Sequence, residues 1–378
     1  MSSFLCTKLS YRASADTLNL FLHRNDSSTV KLRTLSDSMT QIGSEISCEL
    51  TAITNGVLKE NGFDASTGMV CENVILSKDI TTPRLSGKST NENQAVQEAI
   101  DEINQFGEEE IPFRAEELDI EKYPADCVYI SIDDIGVKRQ KDTRVPGSIR
   151  ESRYVENTVA HIQHAGRSYV ITAIGMRNVF KSVLAFLLMN NLLTNELVFF
   201  TDGARNIKNN LEEVFSFHPY IAILDWYHLK KKCQELLSMA MCGKEKRNAV
   251  LKELLSVLWI GNVDEALAYL KTLPPSAVRD QKRLDELASY LERKRKNITC
   301  YAVREKIELR NSSNPVEKAN DILVAQRQKH NGMAWSPNGS GALAAIQMLY
   351  QNHEADLWFC QKQLRLSMSS ESSDTLCA

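Results

Sequence analysis

The sequence lacks any apolar run of the roughly 18 residues that a membrane-spanning helix needs. Its first residues, Met1-Ser2-Ser3-Phe4-Leu5-Cys6, lack a charged segment followed by an apolar core, so no secretory signal is expected. The nine cysteines contain no Cys-x-x-Cys pair, and their number is odd. That argues against a zinc ribbon or a disulfide framework and fits reduced thiols in the cytosol. Net charge is also nearly absent, -3 over 378 residues, so the chain as a whole does not advertise a polyanion partner. What remains is ordinary globular composition, 43% hydrophobic and 25% charged, with length for two or three domains.

The small net charge hides an uneven distribution. Residues 96–126 hold 11 acids against 2 basic residues, and residues 226–332 hold 21 Lys and Arg against 13 acids. The basic portion suits contact with a polyanion; two solvated helical faces are the plainer explanation.

Residues 1–75 read as helical. Leu35, Met39, Ile42, Ile46, Leu50, Ile53 and Val57 recur at steps of three and four, and Asn61-Gly62 supplies a stop. Helices here are a candidate DNA-binding element, and equally a lid or a dimerisation segment. Residues 76–125 read as a linker and an acidic helical spacer, solvated, with the run Glu108-Glu109-Glu110. The pattern changes at Cys127, where a β-branched strand leads to Asp133 and Asp134. Strands 157–164 and 167–174 flank an Ala165-Gly166 turn; then come an apolar helix (178–190), a strand (197–202), a helix (204–215) and a strand (220–224). The order β-β-β-α-β-α-β predicts an α/β, RNase H-like mixed sheet, with the first part of a catalytic core over 126–228. An all-helical insertion domain (229–308), the core's C-terminal helices (309–360) and a disordered polar tail (361–378) complete the chain.

The strand 197–202 delivers Asp202 and Gly203 to the edge of that sheet. A lone aspartate at a strand end is more commonly a helix cap. Here the first strand, ending at Asp133, runs parallel to it, so the two carboxylates emerge together and repel unless a cation lies between them. Hard divalent ions take oxygen ligands, and two of them can clamp an in-line phosphoryl displacement. A third acid from a late helix completes such a site. Glu317 is the candidate, in a first helical turn after Asn311-Ser312-Ser313-Asn314-Pro315. The helix dipole also favours a carboxylate there, and Asp321 lies one turn on.

These residues resemble bacterial insertion-sequence transposases of the DDE type, in the Mutator-related branch with an Asp/Cys-x-x-His motif. The resemblance spans about residues 125–355. It rests on Asp133 in Ile130-Ser131-Ile132-Asp133-Asp134, Asp202 in Phe199-Phe200-Thr201-Asp202-Gly203, and Asp225-Trp226-Tyr227-His228. The late blocks Val316-Glu317-Lys318-Ala319-Asn320 and Asn331-Gly332-Met333-Ala334-Trp335-Ser336 add to it. It implies Asp133, Asp202 and Glu317 as the catalytic triad and the ligands of Mg2+ (or Mn2+). Asp225 and His228 are implied as supporting groups. Asp134 stands where the family often has glycine and competes with Asp133 as first ligand. The family cleaves double-stranded DNA at element ends and joins it to target DNA, as a homodimer or larger assembly, in the bacterial cytoplasm at the nucleoid, with no membrane partner. An RNase H-like nuclease without strand transfer and a non-catalytic DNA-binding element protein are the rival expectations. Trp335 is expected in the core rather than on a flipped base. His161 and His164, three apart in a strand, are expected on opposite faces.

Overall fold

The computed structural model describes residues 1–24, 29–84, 93–107, 110–141, 153–329 and 333–368. Residues 85–92 of the expected linker, Glu108 and Glu109, Asn331 and Gly332 of the late block, and residues 369–378 of the tail lie outside the described residues.

The β-branched runs form one sheet: β1 (Val128–Lys138), β2 (Tyr154–His164), β3 (Arg167–Ile174), β4 (Leu197–Thr201) and β5 (Tyr220–Leu224), in the order β3-β2-β1-β4-β5. β1, β2 and β3 pair antiparallel, whereas β4 lies parallel to β1 and β5 parallel to β4. The molecule is therefore α/β with a mixed sheet. Every residue of β4 is buried, as suits a strand covered on both faces. Leu197 and Phe199 face one core; Val198 and Phe200 face another.

β1 corrects one expectation. It does not end at Asp133. Its pairing with β2 continues through Asp133↔Val159 and Asp134↔Thr158 to Lys138↔Tyr154, while its pairing with β4 stops at Ser131↔Phe200. The aspartates sit where β1 outruns β4, not where β1 stops.

In chain order the first helices are α1 (Ser2–Lys8), α2 (Tyr11–Phe21), α3 (Leu32–Glu60), α4 (Lys78–Thr81), α5 (Asn93–Phe106), α6 (Met176–Met189) and α7 (Arg205–Val214). α8 (Trp226–Ala240), α9 (Lys244–Trp259), α10 (Val263–Thr272), α11 (Gln281–Lys294) and α12 (Tyr301–Lys306) follow β5. α13 (Asn314–Asn320), a π-helical turn (Asp321–Ala325), α14 (Gln326–Gln328), α15 (Pro337–Gln351) and α16 (Ala355–Gln361) end the described chain. None of the described helices is long and apolar enough to cross a membrane, and among the described residues no cysteine is joined in a disulfide.

α3 shows how the N-terminal region is used. Its buried line is Leu35, Met39, Gly43, Ile46, Leu50, Thr54 and Leu58, so Gly43 and Thr54 replace Ile42 and Ile53 at the centre of the face, and Leu58 replaces Val57. Gly43 lies there because α15 crosses at that point: a Cβ would fall 2.3 Å from the Ala342 backbone. α1, α2 and α3 share one core with α6, α15 and the sheet. α1, α2 and α3 are thus a layer of the main body.

Two further expectations are corrected. The acidic region 76–125 is not a solvated spacer throughout. Val96, Ala99 and Ile100 of α5, with Ile111, Ala115 and Ile120, form a core with Ala302, Val303 and Leu309. Glu121 and Arg304, both fully buried, form a two-pronged ion pair; Arg304 Nη2 donates to Glu121 Oε1 at 2.7 Å and to the Arg310 carbonyl at 2.7 Å. The tail 361–378 is not disordered from its start. Leu364 and Leu366 are buried, and the Arg365 and Leu366 amides donate to the Glu354 carboxylate at 3.0 and 3.1 Å.

Removing one partner of a buried pair strands the other charge. Glu121→Ala is expected to cost about 3–5 kcal/mol. Glu121→Leu with Arg304→Met, which removes both charges, should recover most of it; urea unfolding of the two variants measures the difference.

Candidate active site

β4 ends at Thr201, and the chain turns through Asp202 and Gly203 into α7. Gly203 has φ +81°, the left-handed region where a side chain is strained, and a Cβ would also come 2.9 Å from Leu224 Cδ1. Asp202 Oδ1 accepts from the Ala204 amide at 2.7 Å. This is a bond within the turn, not a helix cap: the N-cap of α7 is Ala204, which makes no side-chain capping bond. The capping role that the sequence allowed is therefore not the one Asp202 plays, and the turn bond occupies one oxygen. Oδ2 accepts no hydrogen bond from the described residues.

Continuing the Ser131↔Phe200 register by two residues sets Asp133 beside Asp202. Side chains alternate along a strand, so Asp133 shares the face of Tyr129 and Ser131. Its Oδ1 accepts from the Asp134 amide at 2.8 Å and its Oδ2 from Asn320 Nδ2 at 2.7 Å. Burial, then the charge of Asp202, pushes its pKa up to about 6. Asp134 turns to the opposite face, where Thr158 Oγ1 donates to it and burial raises its pKa. Between the two competitors, alternation brings Asp133 and not Asp134 to Asp202.

Asp225 caps α8. It is fully buried, and its Oδ1 accepts from the His228 amide at 2.9 Å. Its Oδ2 accepts from the Ser313 amide and, at 2.9 Å, from Ser313 Oγ. That carboxylate thus joins the end of β5, the start of α8 and the turn that opens α13. His228 Nε2 then meets Glu317 Oε1 at 3.2 Å, in the first turn of α13. α13 packs on β1 and β2, which brings Glu317 and Asn320 over the sheet. Asp321 goes elsewhere: it is exposed and accepts from Gln326 Nε2 at 2.7 Å.

The structure therefore brings Asp133 to Asp202 and Glu317 to His228, while Asp225 holds Ser313 at the start of the helix that carries Glu317. Among the described residues no three His, Cys, Asp or Glu side chains stand close enough together to hold one ion. The contacts are pairwise. Two residues were not singled out in the sequence. Asn320 lies one helical turn after Glu317, a spacing that signals a shared face. Ser313 carried no signal beyond belonging to a small-residue turn. Trp335 is a core residue: it is buried, its Nε1 donates to the Gln328 carbonyl at 3.0 Å, and Arg327 lies 5.1 Å from its ring. The two histidines diverge as expected, His161 beside Arg310 with its pKa lowered to about 4 by burial, His164 at the Cys127 carbonyl.

The raised pKa of Asp133 has a definite sign. A carboxyl that titrates higher when folded stabilises the fold fully below its unfolded value near 3.8, and that contribution is lost as pH rises through about 6. In EDTA, Asp133→Asn should therefore match the parent at and below the unfolded value and exceed it by about 3 kcal/mol at neutral pH and above. Thermal melts across pH test this; a stability difference independent of pH would contradict it.

No family model, curated protein or solved structure matches this chain.

Proposed function

We propose that this chain is a DDE-type DNA transposase that cleaves DNA at the ends of an insertion sequence and joins the freed 3′-OH to target DNA. One observation carries the reading. Adjacent parallel strands bring Asp133 and Asp202 to one face, and the helix bearing Glu317 lies over that sheet, held by buried Asp225. The strand order β3-β2-β1-β4-β5, two antiparallel steps followed by two parallel ones, supports the RNase H-like part of this reading.

The donor set suits a hard cation. All three side chains offer carboxylate oxygens, and burial first, then the neighbouring charge of Asp202, raises the pKa of Asp133, so the ionised pair lacks solvation that a cation would supply. Asp133 and Asp202, the carboxylates that lie together, would hold Mg2+ or Mn2+ with water completing the shell, and Glu317 would have to leave His228 and approach them to serve as the third ligand. The ion would supply Lewis-acid stabilisation of the phosphoryl oxygens and an activated oxygen nucleophile. The chain's own residues prepare the site. Asn320 orients the Asp133 carboxylate, and Ala204 orients that of Asp202. Asp225 and His228 set the position of Glu317, and His228 holds its carboxylate until a cation competes for it. The basic residues after 226 provide phosphate contacts, and bringing two element ends together calls for a homodimer or larger assembly on double-stranded DNA.

Asp202→Asn should abolish Mg2+-dependent cleavage and joining of duplexes that carry the terminal repeats of the flanking element, while leaving duplex binding intact. Cleavage that survives in this variant would overturn the assignment. Cutting by the parent protein with no joined product would make it a nuclease. Mg2+ should also raise the melting temperature of the parent, because an ion that binds only the folded state stabilises it, and should do so far less for Asp202→Asn.

A further inference from the structure

We infer that Lys294, carried by the helical insertion, binds the DNA phosphate beside the reacting bond at the Asp202 turn, with Lys208 of α7 as its partner. This rests on the transposase reading and adds a substrate-binding residue to it. Lys294 ends α11, 92 residues after Asp202 in the chain, yet folds back onto the Asp202 turn. A Cβ at Gly203 would lie 3.2 Å from Lys294 Cε and 3.6 Å from its Nζ. The position is built rather than incidental. Leu284, Leu287 and Leu291 bury α11 in the second core, and beyond the helix Asn297 Nδ2 donates to the Ala222 carbonyl of β5 at 3.0 Å. The end of α11 is therefore tied to the same sheet that carries Asp202.

The charge at this place lacks an owner. Lys294 is half-buried and forms no ion pair with any described residue. The neighbouring Arg295 is different, being taken up by Glu292 at 2.8 Å and Asp264 at 2.9 Å. Lys208 reaches only its helix neighbour Glu212, at 3.5 Å. A lysine in the last turn of a helix is also favoured by the helix dipole. That explanation is satisfied by a fully solvated ammonium, and this one is desolvated. Burial, then the charge of Lys208, holds Lys294 below the ordinary lysine range, and Asp202 acts in the opposite sense. A half-buried ammonium beside the Asp202 turn, with no ion-pair partner among the described residues, is stabilised by an anion that reaches it. A phosphodiester is such an anion, and lysine meets it as a point charge. It would sit next to Asp202, so the insertion would complete the active site as well as enlarge the binding surface.

The test uses the full chain and a blunt duplex of about 30 bp, with Kd followed by anisotropy over a salt series; each lost phosphate contact lowers the slope of log Kd against log salt by about 0.9. Lys294→Met keeps the aliphatic stem and should lower the slope by about 0.9, as should Lys208→Met, whereas Lys294→Arg should keep the parental slope. The same duplex should shield Lys294 of the unaltered protein from acetylation, read by mass spectrometry, which needs no substitution to fold. A parental slope in Lys294→Met, or full acetylation of Lys294 in the complex, overturns the inference while cleavage by the parent leaves the transposase reading standing. A parent that neither binds nor cleaves DNA overturns both.

Discussion

One buried carboxylate, Asp225, holds the candidate site together. It accepts from the His228 amide on one oxygen and from Ser313 twice on the other, with no exposure to solvent. Hydrogen bonds to an ionised acceptor contribute about 1.5–3 kcal/mol each, more than a surface ion pair. Without them the turn before α13 would have no fixed relation to β5, and Glu317 would have no fixed relation to the sheet. His228, one turn into α8, then reaches Glu317 because Asp225 has already set both helices.

The support extends to the acidic segment before β1, where 11 acids stand against 2 basic residues over 96–126. Arg304 binds buried Glu121 with one side of its guanidinium, and Arg310 and Asn311 with the rest. Those two residues lead directly into Ser313. The acidic segment, the last helix of the insertion and the turn before Glu317 are thus one connected unit. Its role is mechanical: it stiffens the approach to the turn that Asp225 then captures.

Much of this was legible in the residues. The strands announced themselves through β-branched runs, and the hairpin through Ala165-Gly166, because both signals are local. Asp202 and Glu317 were legible because each sits at the boundary of an element. The acidic segment was not. Its many surface carboxylates mask the short apolar stripe of Val96, Ala99 and Ile100, which matters only once Ala302 and Val303 are there to cover it. The tail misled for the same reason, since Leu364 and Leu366 are two leucines in polar company until Glu354 captures the amides beside them.

The sequence by itself determined the strands, the helices and which carboxylates stand at their ends, since backbone propensity and periodicity act over a few residues. Only the tertiary structure decided that β1 runs past Asp133, that Asp133 rather than Asp134 faces Asp202, and that Asn320 reaches Asp133, Ser313 reaches Asp225 and Lys294 reaches the Gly203 turn. Those outcomes depend on register and on contacts across distant segments of chain. A one-residue change of register reverses the face of every side chain in a strand, and no local signal carries that choice.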